Sequence, residues 1–180
     1  MRFVPLEIAG AFLVEQQPGA DERGSFARSF CAAEFAAHGL DPRVAQCNLS
    51  HNTRRGTLRG LHYQAAPHEE AKLVSCLRGA LHDVIVDLRE ASPARRRWVA
   101  VPLAADDGRA LYVPPGCAHG FFTLADDTLV LYQMSTPYVL GAARGVRWDD
   151  PALDIAWPER PAVISPKDAA YPLLEPGARA

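Results

Sequence analysis

Two histidines lie beside glycines in strand-rich sequence, His62 in Gly56-Thr-Leu-Arg-Gly-Leu-His-Tyr-Gln64 and His119 in Tyr112-Val-Pro-Pro-Gly-Cys-Ala-His-Gly-Phe121. A histidine in the mouth of a small β-barrel is a proton-transfer group or a metal ligand, and its neighbours decide which. As a base, neutral imidazole accepts a proton near neutral pH, provided that a partner, usually a carboxylate, fixes its tautomer and orientation. An isolated histidine is more often a hydrogen-bonded structural group. Here the flanking glycines and Arg59 favour a chemical role for His62. Arg59 and Lys72, brought near His62 at a barrel mouth, would offer fixed positive charge to a diphosphate or an enolate. Tyr132, in Thr128-Leu-Val-Leu-Tyr-Gln-Met134, shares a face with Val130 and Met134 by alternation. Taken alone it reads as core, yet a tyrosine facing a histidine across a barrel delivers a proton from the opposite side of a substrate.

A metal site is the competing reading. Metal-binding barrels of this size gather several histidines and a carboxylate, commonly with two histidines one residue apart. His62 is instead followed by Tyr63 and Gln64. His68, Glu69, Glu70 and His119 remain as donors, but His68 sits in the turn-like stretch Ala65-Ala-Pro-His-Glu-Glu-Ala71, so proton transfer is preferred.

Strands must position these groups. Leu73–Leu77 and Leu81–Leu88 flank Gly79 with the two-residue period of half-buried strands, and read as a pair across a tight turn. Trp98–Leu103, Ala110–Val113, Gly120–Leu124 and Thr128–Met134 are further strands, each bounded by Gly, Pro or Asp. Ala32–His38 alone looks helical, with Gly39 placed to end it. After Tyr138, a sequence rich in Pro, Trp and Asp predicts irregular structure packed on the barrel. The pattern predicts an all-β jelly-roll barrel with few peripheral helices. A length of 180 residues with 48% hydrophobic side chains suits one domain over residues 1–180, with a frayed tail at 175–180.

A formal charge of -2 with both signs scattered gives no case for nucleic acid or an anionic membrane as partner. The N-terminus lacks the basic flank and apolar run of a signal peptide, which points to the cytoplasm. Cys31, Cys47, Cys76 and Cys117 are widely spaced and read as free thiols packed in the core.

Gly56–Gln64, Lys72-Leu-Val, Asp83-Val-Ile-Val-Asp-Leu-Arg89, Pro115-Gly-Cys-Ala-His-Gly-Phe121, Arg147-Trp-Asp-Asp-Pro151 and Ser165-Pro-Lys-Asp168 together resemble the dTDP-4-dehydrorhamnose 3,5-epimerase family. The resemblance covers nearly the whole chain. It implies a metal-free, cofactor-independent homodimer of the cupin type acting on nucleotide-diphosphate 4-keto-6-deoxy sugars. It also implies that His62 removes a proton beside the sugar ketone, Asp168 holds its imidazole, Tyr132 reprotonates from the other face and Lys72 steadies the enolate oxygen. Arg59, His119 and Lys167 would line the sugar and diphosphate end, with Tyr138 close to the ligand. Arg23 and Phe26 would reach the partner's nucleotide site, along with Gln46 and Asn48.

Three features depart from the family pattern. Arg28 stands where a glutamate commonly contacts thymine; a guanidinium only donates hydrogen bonds, so it suits the ring acceptors of cytosine better than the thymine imide N–H. The segment Gln46–Gly56 is one residue longer than the commonest form, and Gln133 follows Tyr132 where lysine is frequent. The alternatives are a single-centre epimerase or ketoisomerase on the same scaffold, using a CDP- or other nucleotide sugar, and a non-catalytic sugar-nucleotide binding module.

Overall fold

Runs of apolar residues broken by glycine and proline give short strands, and these bury their side chains by folding into two facing sheets. A computed structural model describes residues 1–174; the tail expected to fray lies outside the described residues. The chain runs β1 (Arg2–Pro5), β2 (Phe12–Glu15), β3 (Gly19–Asp21), β4 (Gly24–Phe26), α1 (Ala32–Ala37), β5 (Gln46–Asn52), β6 (Thr57–Gln64) and β7 (Lys72–Arg78). It continues through β8 (Ala80–Asp87), β9 (Trp98–Ala104), β10 (Arg109–Val113), β11 (Cys117–Thr123), β12 (Thr128–Met134), β13 (Ala143–Gly145), β14 (Val163–Ile164) and α2 (Pro166–Ala169). The first sheet has the order β1-β2-β10-β7-β12-β5; the second has β13-β6-β11-β8-β9, with β14 added alongside β6. This is the jelly-roll barrel that the strand spacing predicts.

The strands on either side of Gly79 are a correction. β7 lies between β10 and β12 in the first sheet, whereas β8 lies between β11 and β9 in the second, so the two are not paired. A hairpin needs about two residues in its loop, and only Gly79 separates these strands. At φ +79°, it turns the chain from one sheet to the other. A Cβ there would stand 2.4 Å from the Thr128 hydroxyl, so glycine is required for space as well as for conformation.

The expectation of half-buried strands is also too simple. Val74, Cys76, Leu111 and Val130 of the first sheet meet Leu81, Ile85, Leu103 and Phe121 of the second to form the inner core. Each outer face is covered as well. Phe35 of α1 packs on Val14, Leu73 and Tyr112, while Val146 and Leu153 of the C-terminal third pack on Leu61, Val84 and Ala118. Strand β11 is therefore buried at every position.

α1 ends one residue before the expected His38, and α2 was not expected. Its signal is present in Ser165-Pro-Lys-Asp168: the Ser165 side chain accepts from the Asp168 N–H, and proline occupies the first turn. Cys76 and Cys117 are core residues as expected, and burial pushes their thiols up to about 11 and about 12. Cys47 instead lies exposed on β5 and Cys31 is half-buried, because neither occupies an inward position. Among the described residues no helix is long and apolar enough to cross a membrane.

Candidate active site

Strand β6 carries the centre of the site, and a bulge sets it up. Alternation alone would send Arg59 and His62, three residues apart, to opposite faces. Across the ladder, however, Arg59 pairs with Phe121 and His62 with His119, so β6 spends three residues where β11 spends two. The extra residue returns both side chains to the inner face. It is accommodated at Gly60, whose φ is +128° and where a Cβ would stand 2.5 Å from the Gly120 Cα.

His62 and Tyr132 then line one cavity of about 320 Å³, the first from the second sheet and the other from the first sheet. The same cavity is lined by Asn48, Arg59, Lys72, His119, Tyr138 and Lys167, all expected at the site. Asp168 of α2 meets His62 at 2.8 Å, carboxylate Oδ1 to imidazole Nε2. With Nε2–H donating to that carboxylate, Nδ1 carries the lone pair. The second Asp168 oxygen accepts from the Gly60 N–H at 3.3 Å. Burial works against the ionised form of Asp168, but the bonds from His62 and Gly60, the imidazole charge and Ser165 outweigh it and hold the carboxyl below its ordinary value.

Tyr132 is poised to keep its proton. Burial, and then the negative charge of Asp83, push its phenol well above the usual value against a smaller opposing pull from Arg59. His119 stands edge-on to Tyr132, with ring centroids 5.6 Å apart, and its Nε2 meets Asp83 Oδ1 at 2.6 Å. Lys72 enters from the start of β7, fully buried and ion-paired with Glu70. The Arg59 Nε–H donates to Asn52 Oδ1 at 2.7 Å, which ties the second sheet to the edge strand of the first.

The remaining expected residues fall into two groups. Gln46 does not line the cavity; its side-chain oxygen accepts from the Tyr138 N–H at 2.7 Å and so places the segment that does. Arg23 and Phe26 sit on the β3–β4 hairpin away from the cavity, with Arg23 paired to Asp21 and Phe26 85% exposed. Arg28 is also outside the cavity, and its Nη1 meets Glu34 of α1 at 2.7 Å.

Sequence reasoning missed Glu70, Gln64, Arg144 and Tyr171 as lining residues. Glu70 had a usable signal, since a carboxylate two residues before Lys72 falls on the same face of an extended chain. Gln64 is buried and binds its own neighbourhood: its side chain bonds to the His68 and Pro137 carbonyls and accepts from the Val139 N–H. Nothing in the local pattern marked Tyr171. Among the described residues, no three His, Cys, Asp or Glu side chains are grouped so as to hold a metal ion.

The sequence matches the family model described as dTDP-4-dehydrorhamnose 3,5-epimerase over residues 5–176. It is 42% identical over 175 residues to the dTDP-4-dehydrorhamnose 3,5-epimerase of Sinorhizobium fredii, covering 97% of this chain and 90% of the relative. It is 39% identical over 175 residues to a dTDP-4-dehydrorhamnose 3-epimerase of Streptomyces niveus, covering 97% and 84%. The structure superimposes with a TM-score of 0.92 on the Bacillus anthracis dTDP-4-dehydrorhamnose 3,5-epimerase crystallised with TDP and PPi, at 38% identity over 96% of this chain and 99% of that one. The fold, the order of the motifs and these likenesses agree: the chain belongs to the dTDP-4-dehydrorhamnose 3,5-epimerase family.

Proposed function

We propose that this protein inverts the two carbons flanking the ketone of a nucleotide-diphosphate 4-keto-6-deoxy sugar, with dTDP as the nucleotide carried by its relatives, and needs no cofactor. The observation that carries the reading is that His62, bonded through Nε2 to Asp168, and Tyr132, whose phenol is pushed by burial well above its usual value, line one cavity from opposite sheets. His62 Nδ1 takes the proton from a carbon beside the ketone. The C–H electron pair moves into the carbonyl and leaves an enolate oxygen beside the Lys72 ammonium. The Tyr132 O–H then protonates the carbon from the other face, and solvent restores the phenol and takes the proton from His62. A base working alone would return the proton to the side it left, so the stereochemical outcome needs both groups.

Arg59, Lys167 and Arg144 supply positive charge for the diphosphate, and Tyr138 closes the rim of the cavity. The working unit is a homodimer in the cytoplasm, in which Arg23 and Phe26 enter the partner's site. The support for this is a two-stranded hairpin that presents an exposed phenylalanine. Light scattering should give twice the chain mass, and a monomer would remove the partner from the mechanism.

In heavy water, the purified protein should wash deuterium into both carbons flanking the ketone of dTDP-4-keto-6-deoxyglucose. Absence of exchange at both carbons would refute epimerase activity. Exchange at one carbon alone would establish the second reading, a single-centre epimerase, which the 3-epimerase relative favours.

A further inference from the structure

We propose that Tyr171 is a positioning residue for the base, acting through Gly145 on the neighbouring strand. This rests on the reading of His62 as the base. Tyr171 follows Asp168 by three residues, so the same short turn that supplies the carboxylate also supplies this ring. The ring stands edge-on to the His62 imidazole, with centroids 5.8 Å apart and planes at 67°. It also lines the cavity.

The seat of the ring is specific. On β13, Gly145 is the ladder partner of His62, and a Cβ built on it would lie 2.3 Å from two carbons of the Tyr171 ring. Tyr171 therefore fills the space that any other residue at position 145 would claim. Lys167, from the preceding turn, lies 5.8 Å from the ring centroid, and a hydrogen bond to Tyr171 raises its ammonium above the ordinary value.

The consequence concerns freedom of rotation. The His62 side chain is 43% exposed, and its bond to Asp168 constrains only Nε2. An imidazole held at one nitrogen still pivots about that bond. The aromatic wall limits the pivot and keeps Nδ1 toward the bound sugar. An enzyme with a mispositioned base still binds substrate but removes the proton slowly.

The test compares Tyr171→Ala, Tyr171→Phe, Gly145→Ala and the double variant Gly145→Ala/Tyr171→Ala, by deuterium wash-in and by nitrogen NMR of the His62 ring. Tyr171→Ala should lower kcat by about 10- to 100-fold, the scale of a misplaced catalytic group, while KM changes by less than about threefold. The NMR signals of the ring nitrogens should broaden as the imidazole pivots about its retained bond to Asp168. Tyr171→Phe, which keeps the ring, should recover most of the loss. Gly145→Ala should reproduce it, and the double variant should be no worse than either single one, because both displace the same ring. The proposal is overturned by a parental kcat in Tyr171→Ala, by a loss in KM alone, or by multiplicative losses in the double variant. If Tyr171→Ala fails to fold, the rate of Gly145→Ala and the width of its ring nitrogen signals decide the matter. A parent that exchanges no deuterium would instead reject His62 as base; the comparison of ring mobility by NMR, which requires no turnover, still judges Tyr171.

Discussion

The site contains two His–Asp pairs on neighbouring strands, and they differ in access. His62 and Asp168 meet at 2.8 Å with side chains 43% and 7% exposed; His119 and Asp83 meet at 2.6 Å with side chains 3% and 0% exposed. Their histidines are ladder partners, so the difference arises from what covers them. Asp168 has its second oxygen on the Gly60 N–H, whereas Asp83 Oδ2 is buried without a hydrogen-bond partner. The open pair can pass a proton to a ligand. The second pair is nearly closed to solvent although His119 lines the cavity, and its carboxylate helps the Tyr132 phenol to hold its proton. On the proposed mechanism, the first pair is the base and the second tunes the acid that faces it.

Substituting each histidine should separate these roles. His62→Ala removes the general base and should cut deuterium wash-in by about 10³- to 10⁴-fold, with only a modest change in melting temperature. His119→Ala should act mainly on stability. It strands the Asp83 carboxylate in the core, at a cost of about 3–5 kcal/mol, measurable by denaturant unfolding. Equal losses of rate per folded molecule and of stability in the two variants would erase the distinction.

Next in size is the acid. Tyr132→Phe keeps the ring in the inner core and removes only the O–H, so the fold should persist. Product with inverted carbons should form about 100-fold more slowly, while His62 continues to exchange the substrate proton with solvent. NMR of the recovered substrate distinguishes these events. Parental epimerisation in this variant would show that the proton comes from elsewhere.

The two pairs were unequally legible in the sequence. Asp83 lies in the run Leu81–Leu88, which periodicity reads as a strand and which forms most of β8, whereas the expected strand Gly120–Leu124 starts one residue after His119 and β11 begins earlier, at Cys117. The partnership of His62 with Asp168 spans 106 positions, and no spacing rule reaches that far; it came from the resemblance. Local pattern also failed where tertiary context ruled. Gln-Cys-Asn-Leu-Ser-His-Asn forms β5, although its composition does not mark a strand, because the ladder of β12 provides an edge for it. Arg59 reaches the His62 side only through a bulge that alternation cannot foresee. Tyr171 needed the empty face of Gly145, which is visible only once both are folded.

The open pair should also register in the pH dependence of stability. Asp168 has its folded-state value depressed below the ordinary aspartate value, so its ionised form stabilises the fold. That contribution is fully present above the unfolded value near 4 and is lost as pH falls through the lower folded value. Asp168→Asn should therefore melt a few degrees below the parent at pH 7, and the gap should close as the pH drops below about 4. A gap that persists undiminished under acid would mean that the carboxylate charge is not what stabilises the turn.

The smallest expected effect lies on the hairpin side, where the proposed dimer would bring a second copy to the cavity. Arg28 is exposed and engaged with Glu34, so in the proposed function it would reach a nucleotide base only through solvent-screened donors. Arg28→Glu replaces donors with acceptors able to receive the thymine imide N–H. It should shift the ratio of dTDP to CDP affinity toward dTDP by less than about tenfold, corresponding to at most about 1.4 kcal/mol. Titration calorimetry with dTDP, CDP, UDP and GDP reads that ratio directly. An unchanged ratio would leave Arg28 as a partner of α1 alone.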